Sequence, residues 1–129
     1  MLTSISGASD YFKGSIVSYS NEIKEEVLGV KSETLKQHGA VSEETVQEML
    51  KGALKNLNVD IAIAVSGVAG PSGGSSEKPV GCVFIGIANQ NKSVVKKLQF
   101  TQNRERNIQL SAITALVMLK KFLLEEYVN

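Results

Sequence analysis

A chain of 129 residues with a formal charge of +1 and interspersed acids and bases has no electrostatic footprint for nucleic acid or for an anionic membrane surface. Its apolar runs, such as Ile61 to Val65 and Val83 to Ala88, fall far short of the roughly 20 residues that a membrane helix needs, and its first residues do not form a secretory signal. The lone Cys82 excludes an internal disulfide and reads as a buried thiol. These bounds predict a single cytoplasmic domain over residues 1–129.

Along the chain, Ser15 to Tyr19 is rich in β-branched and aromatic residues and predicts a strand. Asn21 to Leu28 predicts a short helix with Ile23, Val27 and Leu28 on one face, Asn21 as N-cap and Gly29 as its left-handed stop. Lys31 to Gly39 predicts a short helical segment. Ser42 caps the next helix, where Glu43 and Glu44 face the positive N-terminal end and Val46, Met49, Leu50, Ala53, Leu54 and Leu57 form an apolar stripe. Ile61 to Val65 and Val80 to Ala88 are continuously apolar, which suits interior strands. Asn89 to Lys92 predicts a hairpin turn into an edge strand over Val94 to Phe100. A last helix starts near Asn103. The alternation of helices and strands, with one hairpin, predicts an α/β fold: a three-layer α/β/α sandwich with a mixed sheet.

Between two of the strands lies a loop that carries chemistry. Gly67, Gly70, Gly73 and Gly74 let backbone N–H groups approach an oxyanion closely, and Ser66, Ser72, Ser75 and Ser76 add hydroxyls. Lys78 puts a cation at the end of the loop, and Pro79 fixes the chain before the next strand. A flexible serine/glycine connection is the competing reading of the same composition.

The segment SGVAGPSGG (Ser66 to Gly74) followed by EKPVG (Glu77 to Gly81) resembles the TGxAGPxGG…KPVG region of the C-terminal domain family of the competence/damage-inducible protein CinA, also found as a stand-alone nicotinamide-nucleotide amidase. Three further blocks agree in order: GASDYF (Gly7 to Phe12) with GSIVSYSNEIK (Gly14 to Lys24), HGAVSEE (His38 to Glu44), and Asn103-Arg104-Glu105 before the last helix. The resemblance implies a metal-independent deamidase without a cofactor, converting nicotinamide mononucleotide to nicotinic acid mononucleotide through an acyl-enzyme. A catalytically inactive nucleotide-binding or interaction module is the alternative.

It also implies roles. Lys24 is the base that takes a hydroxyl proton, with Tyr19 as its hydrogen-bonded partner, and a lysine can do so only if desolvation or a nearby cation lowers its pKa. Asn21, Ser66, Gly67, Gly70, Gly73, Gly74, Lys78 and Arg104 are the candidate substrate and phosphate contacts, with Arg104 able to clamp a phosphate bidentately. His38 reads as structural, and one His with one Cys at unrelated positions makes a zinc site improbable.

In the family, a helix bearing Glu-Ser-x-Thr-Gly-Gly precedes the GAS block and its serine is the nucleophile. That segment is not among the 129 residues. The chain is therefore expected to be N-terminally truncated relative to the family, and to hydrolyse the nucleotide at least about a thousandfold more slowly. An uncovered apolar sheet face and a homo-oligomer, a dimer at the simplest, are expected with it.

Overall fold

A computed structural model of the chain describes residues 2–125. After two short 3-10 turns at Leu2–Ser4 and Ala8–Asp10, the order is α1 (Asn21–Leu28), α2 (Ser32–His38), α3 (Glu43–Asn56), β1 (Ala62–Gly67), β2 (Cys82–Ala88), β3 (Ser93–Gln99) and α4 (Arg104–Leu123).

Local chemistry sets most of these boundaries. The Ser42 hydroxyl accepts from the Thr45 N–H at the start of α3, and the Asn103 side chain accepts from the Arg106 N–H at the start of α4. Both satisfy N–H groups that a helix leaves without an internal partner. At α1 the cap is Ser20, whose hydroxyl accepts from the Ile23 N–H; Asn21, expected there, is the first helical residue. Serine wins because it is the last residue with extended dihedrals, and only such a residue can turn its oxygen back onto the first turn. Gly29 ends α1 at a φ of 71°, its N–H donating to the Glu25 carbonyl as in an αL cap, and Val30 N–H bonds back to the Lys24 carbonyl.

The sheet has the order β1-β2-β3 and is antiparallel throughout, Ala62 pairing with Ala88 and Phe84 with Lys97. The mixed sheet expected from sequence differs in one element: the segment Ser15 to Tyr19 is not in a ladder. A strand needs an edge in register as well as β propensity. Here Ile16 alone packs on the core, while Val17 and Tyr19 stand 83% and 85% exposed.

The layering is the expected sandwich. β2 is buried on both faces. Cys82, Phe84 and Ala88 join Val46, Met49, Leu50 and Leu54 of α3 in one core, while Val83, Ile85 and Ile87 join Ala115, Met118 and Phe122 of α4 in the other. Alternation along a central strand thus feeds two helical layers. α1 crosses α3 at Gly52, where a Cβ would lie 1.9 Å from the Leu28 carbonyl oxygen. The hairpin turn forms as read, the Asn89 side-chain oxygen accepting from the Asn91 and Lys92 N–H groups at 2.8 and 2.7 Å. α4 also carries Ile108, Ile113 and Val117 exposed. No helix among the described residues is long and apolar enough to cross a membrane.

Candidate functional site

The loop from Val68 to Gly81 joins the end of β1 to the start of β2 and carries the candidate residues Gly70, Gly73, Gly74 and Lys78. It closes at its base, where Gly81 N–H donates to Val68 O at 2.7 Å and Val68 N–H to Cys82 O at 2.9 Å, and it turns at its tip with Ser75 N–H on Lys78 O at 2.9 Å. The N–H groups of Ala69, Gly70, Ser72, Gly73 and Gly74 are left without an acceptor among the described residues. Gly70 precedes a cis peptide to Pro71 and has a φ of 88°. A Cβ there would also meet a Val80 methyl at 2.4 Å, so glycine is required twice over at this position.

The candidate side chains fall into three groups, of which the first and the third are hydrogen-bonded to or from the loop. The first is Arg104, whose Nη1 donates to the Gly70 carbonyl at 2.9 Å and whose Nη2 lies 3.5 Å from the Tyr19 hydroxyl. The structure thus joins Tyr19 to Arg104 and not to Lys24.

The second group is Lys24 with its surroundings. Its side chain is 6% exposed and donates from Nζ to the Ser18 carbonyl at 2.6 Å. Burial removes water from the ammonium and pushes its pKa below the ordinary lysine value. The direction of this shift is the one a lysine base needs, and the orientation of the side chain is set by its own upstream backbone.

The third group locks the turn between α2 and α3. Three consecutive carbonyls each receive side-chain donors: His38 from Lys78 Nζ, Gly39 from Ser42 Oγ at 2.9 Å and Thr45 Oγ1 at 2.7 Å, and Ala40 from Ser66 Oγ at 2.7 Å. Ser66 and Lys78 are thus engaged in holding the turn against the loop. His38 stands at the end of α2 with Nδ1 3.6 Å from a Glu44 carboxylate oxygen. Gly67 is the last residue of β1, Gly73 and Gly74 lie on the exposed outer loop, and Asn21 is exposed on α1. Asn21 is not among the residues that these hydrogen bonds draw to the loop.

Asn107 is a site residue that the sequence reading missed. It is 1% exposed and its side chain bonds the Ala69 and Thr101 carbonyls. The available signal was a polar residue on the face of α4 that continues through the buried Ala115, Met118 and Phe122.

Comparison with known proteins decides the family, since the CinA C-terminal domain matches residues 1–123. The chain belongs to the CinA C-terminal domain family. It is 49% identical over 125 residues to a CinA-like protein of Thermotoga neapolitana, covering 97% of this chain and 30% of that protein. A CinA-like protein of Syntrophomonas wolfei is 48% identical over 123 residues, covering 95% and 30% respectively. The CinA domain thus spans 30% of the length of these curated relatives. Its fold matches the crystal structure of competence damage-inducible protein A (ComA) from Klebsiella pneumoniae, with a TM-score of 0.90 at 37% identity, over 95% of this chain and 76% of that one. The competence/damage inducible protein CihA from Agrobacterium tumefaciens matches with a TM-score of 0.88 at 39% identity, over 91% and 72%.

Proposed function

We propose that this CinA domain binds nicotinamide mononucleotide on the Val68–Gly81 loop and serves its deamidation to nicotinic acid mononucleotide and ammonia. The observation that carries the reading is the row of loop N–H groups without an acceptor beside an exposed guanidinium: Ala69, Gly70 and Ser72 to Gly74 next to Arg104. Backbone donors and a cation on one rim are what a phosphate monoester requires.

Lys24 supports the chemical half of the reading. A base must be uncharged to accept a proton, and burial moves this amine in that direction. In the reaction the neutral amine takes the proton of an attacking hydroxyl, which the family resemblance places on the serine of the Glu-Ser-x-Thr-Gly-Gly segment that is not among these 129 residues. The oxygen adds to the carboxamide carbon, and the proton passes to the departing nitrogen, which leaves as ammonia. Water then cleaves the acyl ester by the same proton route. Tyr19, beside Arg104 and facing solvent, is suited to the substrate rather than to the base.

A second reading, a nucleotide-binding module without catalysis, is favoured by one observation: the Lys24 ammonium is already engaged by the Ser18 carbonyl. One experiment addresses both. Nicotinamide mononucleotide is titrated into isotope-labelled protein while ammonia is assayed. Amide shifts in Ser66 to Gly81 and at Arg104 are expected, and no perturbation at millimolar nucleotide overturns both readings. Ammonia release that Lys24→Met abolishes supports the hydrolase; binding with no ammonia supports the module.

A further inference from the structure

The amide of Asn107 makes four hydrogen bonds and has no capacity left. Nδ2 donates to Ala69 O at 2.9 Å and to Thr101 O at 3.0 Å, while Oδ1 accepts from Thr101 N–H at 2.8 Å and Thr101 Oγ1 at 2.7 Å. A carboxamide has two donor hydrogens and an oxygen with two lone pairs, so every valence is used. The main-chain Thr101 N–H can only donate, which settles which end of the amide faces it. At 1% exposure no water competes for these bonds.

Their placement matters as much as their number. Thr101 belongs to the link between β3 and α4, and the residues just before it are bonded to the far end of the same loop: Phe100 N–H donates to Gly81 O at 2.8 Å, and Gln99 Nε2 to Val80 O at 2.8 Å. Asn107 carries this anchoring across to the near end of the loop at Ala69. One turn back on α4, Arg104 takes the next carbonyl, Gly70 O. Two side chains three residues apart on one helix face therefore hold consecutive carbonyls of the glycine-rich loop.

The two differ in one decisive property. Asn107 is buried, neutral and saturated, so it cannot turn to a ligand. Arg104 is exposed and has five donors, of which the structure shows two engaged.

We propose that Asn107 is the positioning residue of the glycine-rich loop, holding the Ala69 carbonyl fixed so that Arg104 is free to take an anionic phosphate without the loop moving. The phosphate ligand rests on the nucleotide-binding reading above; the positioning does not. Without the Asn107 bond the Arg104–Gly70 contact is, among the described residues, the only side-chain bond holding this end of the loop beyond its closure at Val68. A phosphate taking the guanidinium would then compete with loop order, and affinity would fall.

Two variants separate positioning from general stability. Asn107→Asp keeps the volume and the oxygen that accepts from Thr101, and replaces the NH2 that donates to the loop at Ala69 and to the link at Thr101 with an oxygen facing both carbonyls. Thr101→Val deletes the hydroxyl's bond to Asn107 and its two bonds with Asn103, and leaves the Ala69 bond intact. The expected result is that Asn107→Asp shifts or broadens the amide signals of Ala69 to Gly74 and weakens nicotinamide mononucleotide at least about tenfold, one lost net hydrogen bond of about 1.4 kcal/mol. Thr101→Val lowers stability but leaves affinity within about twofold, since none of its lost bonds involves the Ala69 carbonyl. Unchanged loop signals in Asn107→Asp overturn the proposal, as does a loss of affinity in both variants in proportion to their loss of stability.

Should Asn107→Asp fail to fold, the wild-type chain decides. The Asn107 side-chain amide protons are expected to exchange slowly with and without nucleotide, while the Arg104 guanidinium signals move on nucleotide addition. Asn107 protons that exchange as fast as those of the exposed Asn21 overturn it. If millimolar nucleotide moves nothing in the wild type while Asn107→Asp still rearranges Ala69 to Gly74, the nucleotide reading falls and the positioning role stands.

Discussion

Arg104 Nη1 donates to the carbonyl of Gly70 at 2.9 Å across 34 positions of sequence. The first residue of α4 and the tightest point of the glycine-rich loop are thereby one unit, with Tyr19 in reach of the same guanidinium. Arg104→Lys keeps the charge but not the planar fork that can hold a carbonyl and a phosphate together. Both Arg104→Lys and Arg104→Ala are expected to weaken nicotinamide mononucleotide, the alanine by roughly 10- to 100-fold for a charge-assisted bond of about 1.5 to 3 kcal/mol. Titration followed by amide shifts measures it, and equal affinity in wild type and alanine variant refutes it.

Lys24 gives a pH dependence whose sign is determined. Its pKa is lower in the folded chain than in the unfolded one, because burial disfavours the charged form. The unfolded state therefore binds more protons between the two values, and stability attributable to this residue rises as pH climbs through that interval. Below the folded value the penalty is fully present. Lys24→Met is expected to be at least as stable as wild type near neutrality, with the advantage shrinking toward pH 10.5, the ordinary lysine value. Urea unfolding at the two pH values tests it; a methionine variant that is markedly less stable at neutral pH is the contrary result.

Gly52 is where α1 meets α3. An added methyl group would sit 1.9 Å from the Leu28 carbonyl oxygen, which is backbone and cannot rotate away. Gly52→Ala gains roughly 1 kcal/mol of helix propensity, yet a net loss of about 2 to 3 kcal/mol is expected from overpacking. A neutral or stabilising effect in urea unfolding would show that the helices separate more readily than their packing implies.

Ser42 serves two bonds at once, accepting from Thr45 N–H at 3.1 Å and donating to Gly39 O at 2.9 Å while 3% exposed. Ser42→Ala is expected to lose about 1 to 2 kcal/mol, toward the upper end because its partners are enclosed. Since the Gly39 turn also receives Lys78 and Ser66 next door, the same variant should shift amide signals in the glycine-rich loop. A change confined to α3 would separate the turn from the loop.

The outward side of α4 carries Ile108, Ile113 and Val117, each about half exposed. A helix apolar on more than its core face tends to be covered on both. Association into a dimer is the expected outcome, read by light scattering at micromolar concentration, and Val117→Glu is expected to reverse it. A monodisperse wild-type monomer refutes it.

What the sequence determined by itself is what neighbours within a few residues decide. The Ser42 and Asn103 caps, the left-handed Gly29 and the Asn89 turn are bonds closed over two to four residues, and the continuous apolar run over Val80 to Ala88 suffices to mark a strand buried on both faces. Tertiary structure decided the rest. Whether Ser15 to Tyr19 pairs depends on an edge offered by another element. Ser66 reaches Ala40 over 26 positions, Asn107 reaches Ala69 over 38 and Lys78 reaches His38 over 40. Which carbonyl a hydroxyl, amide or ammonium meets at that separation follows from how the helices stack on the sheet, and no local pattern carries that information. A serine, a lysine and an asparagine therefore have legible chemistry in the sequence, while their partners, and with them the division between the residues that hold the loop and the arginine left to meet a ligand, come only from the fold.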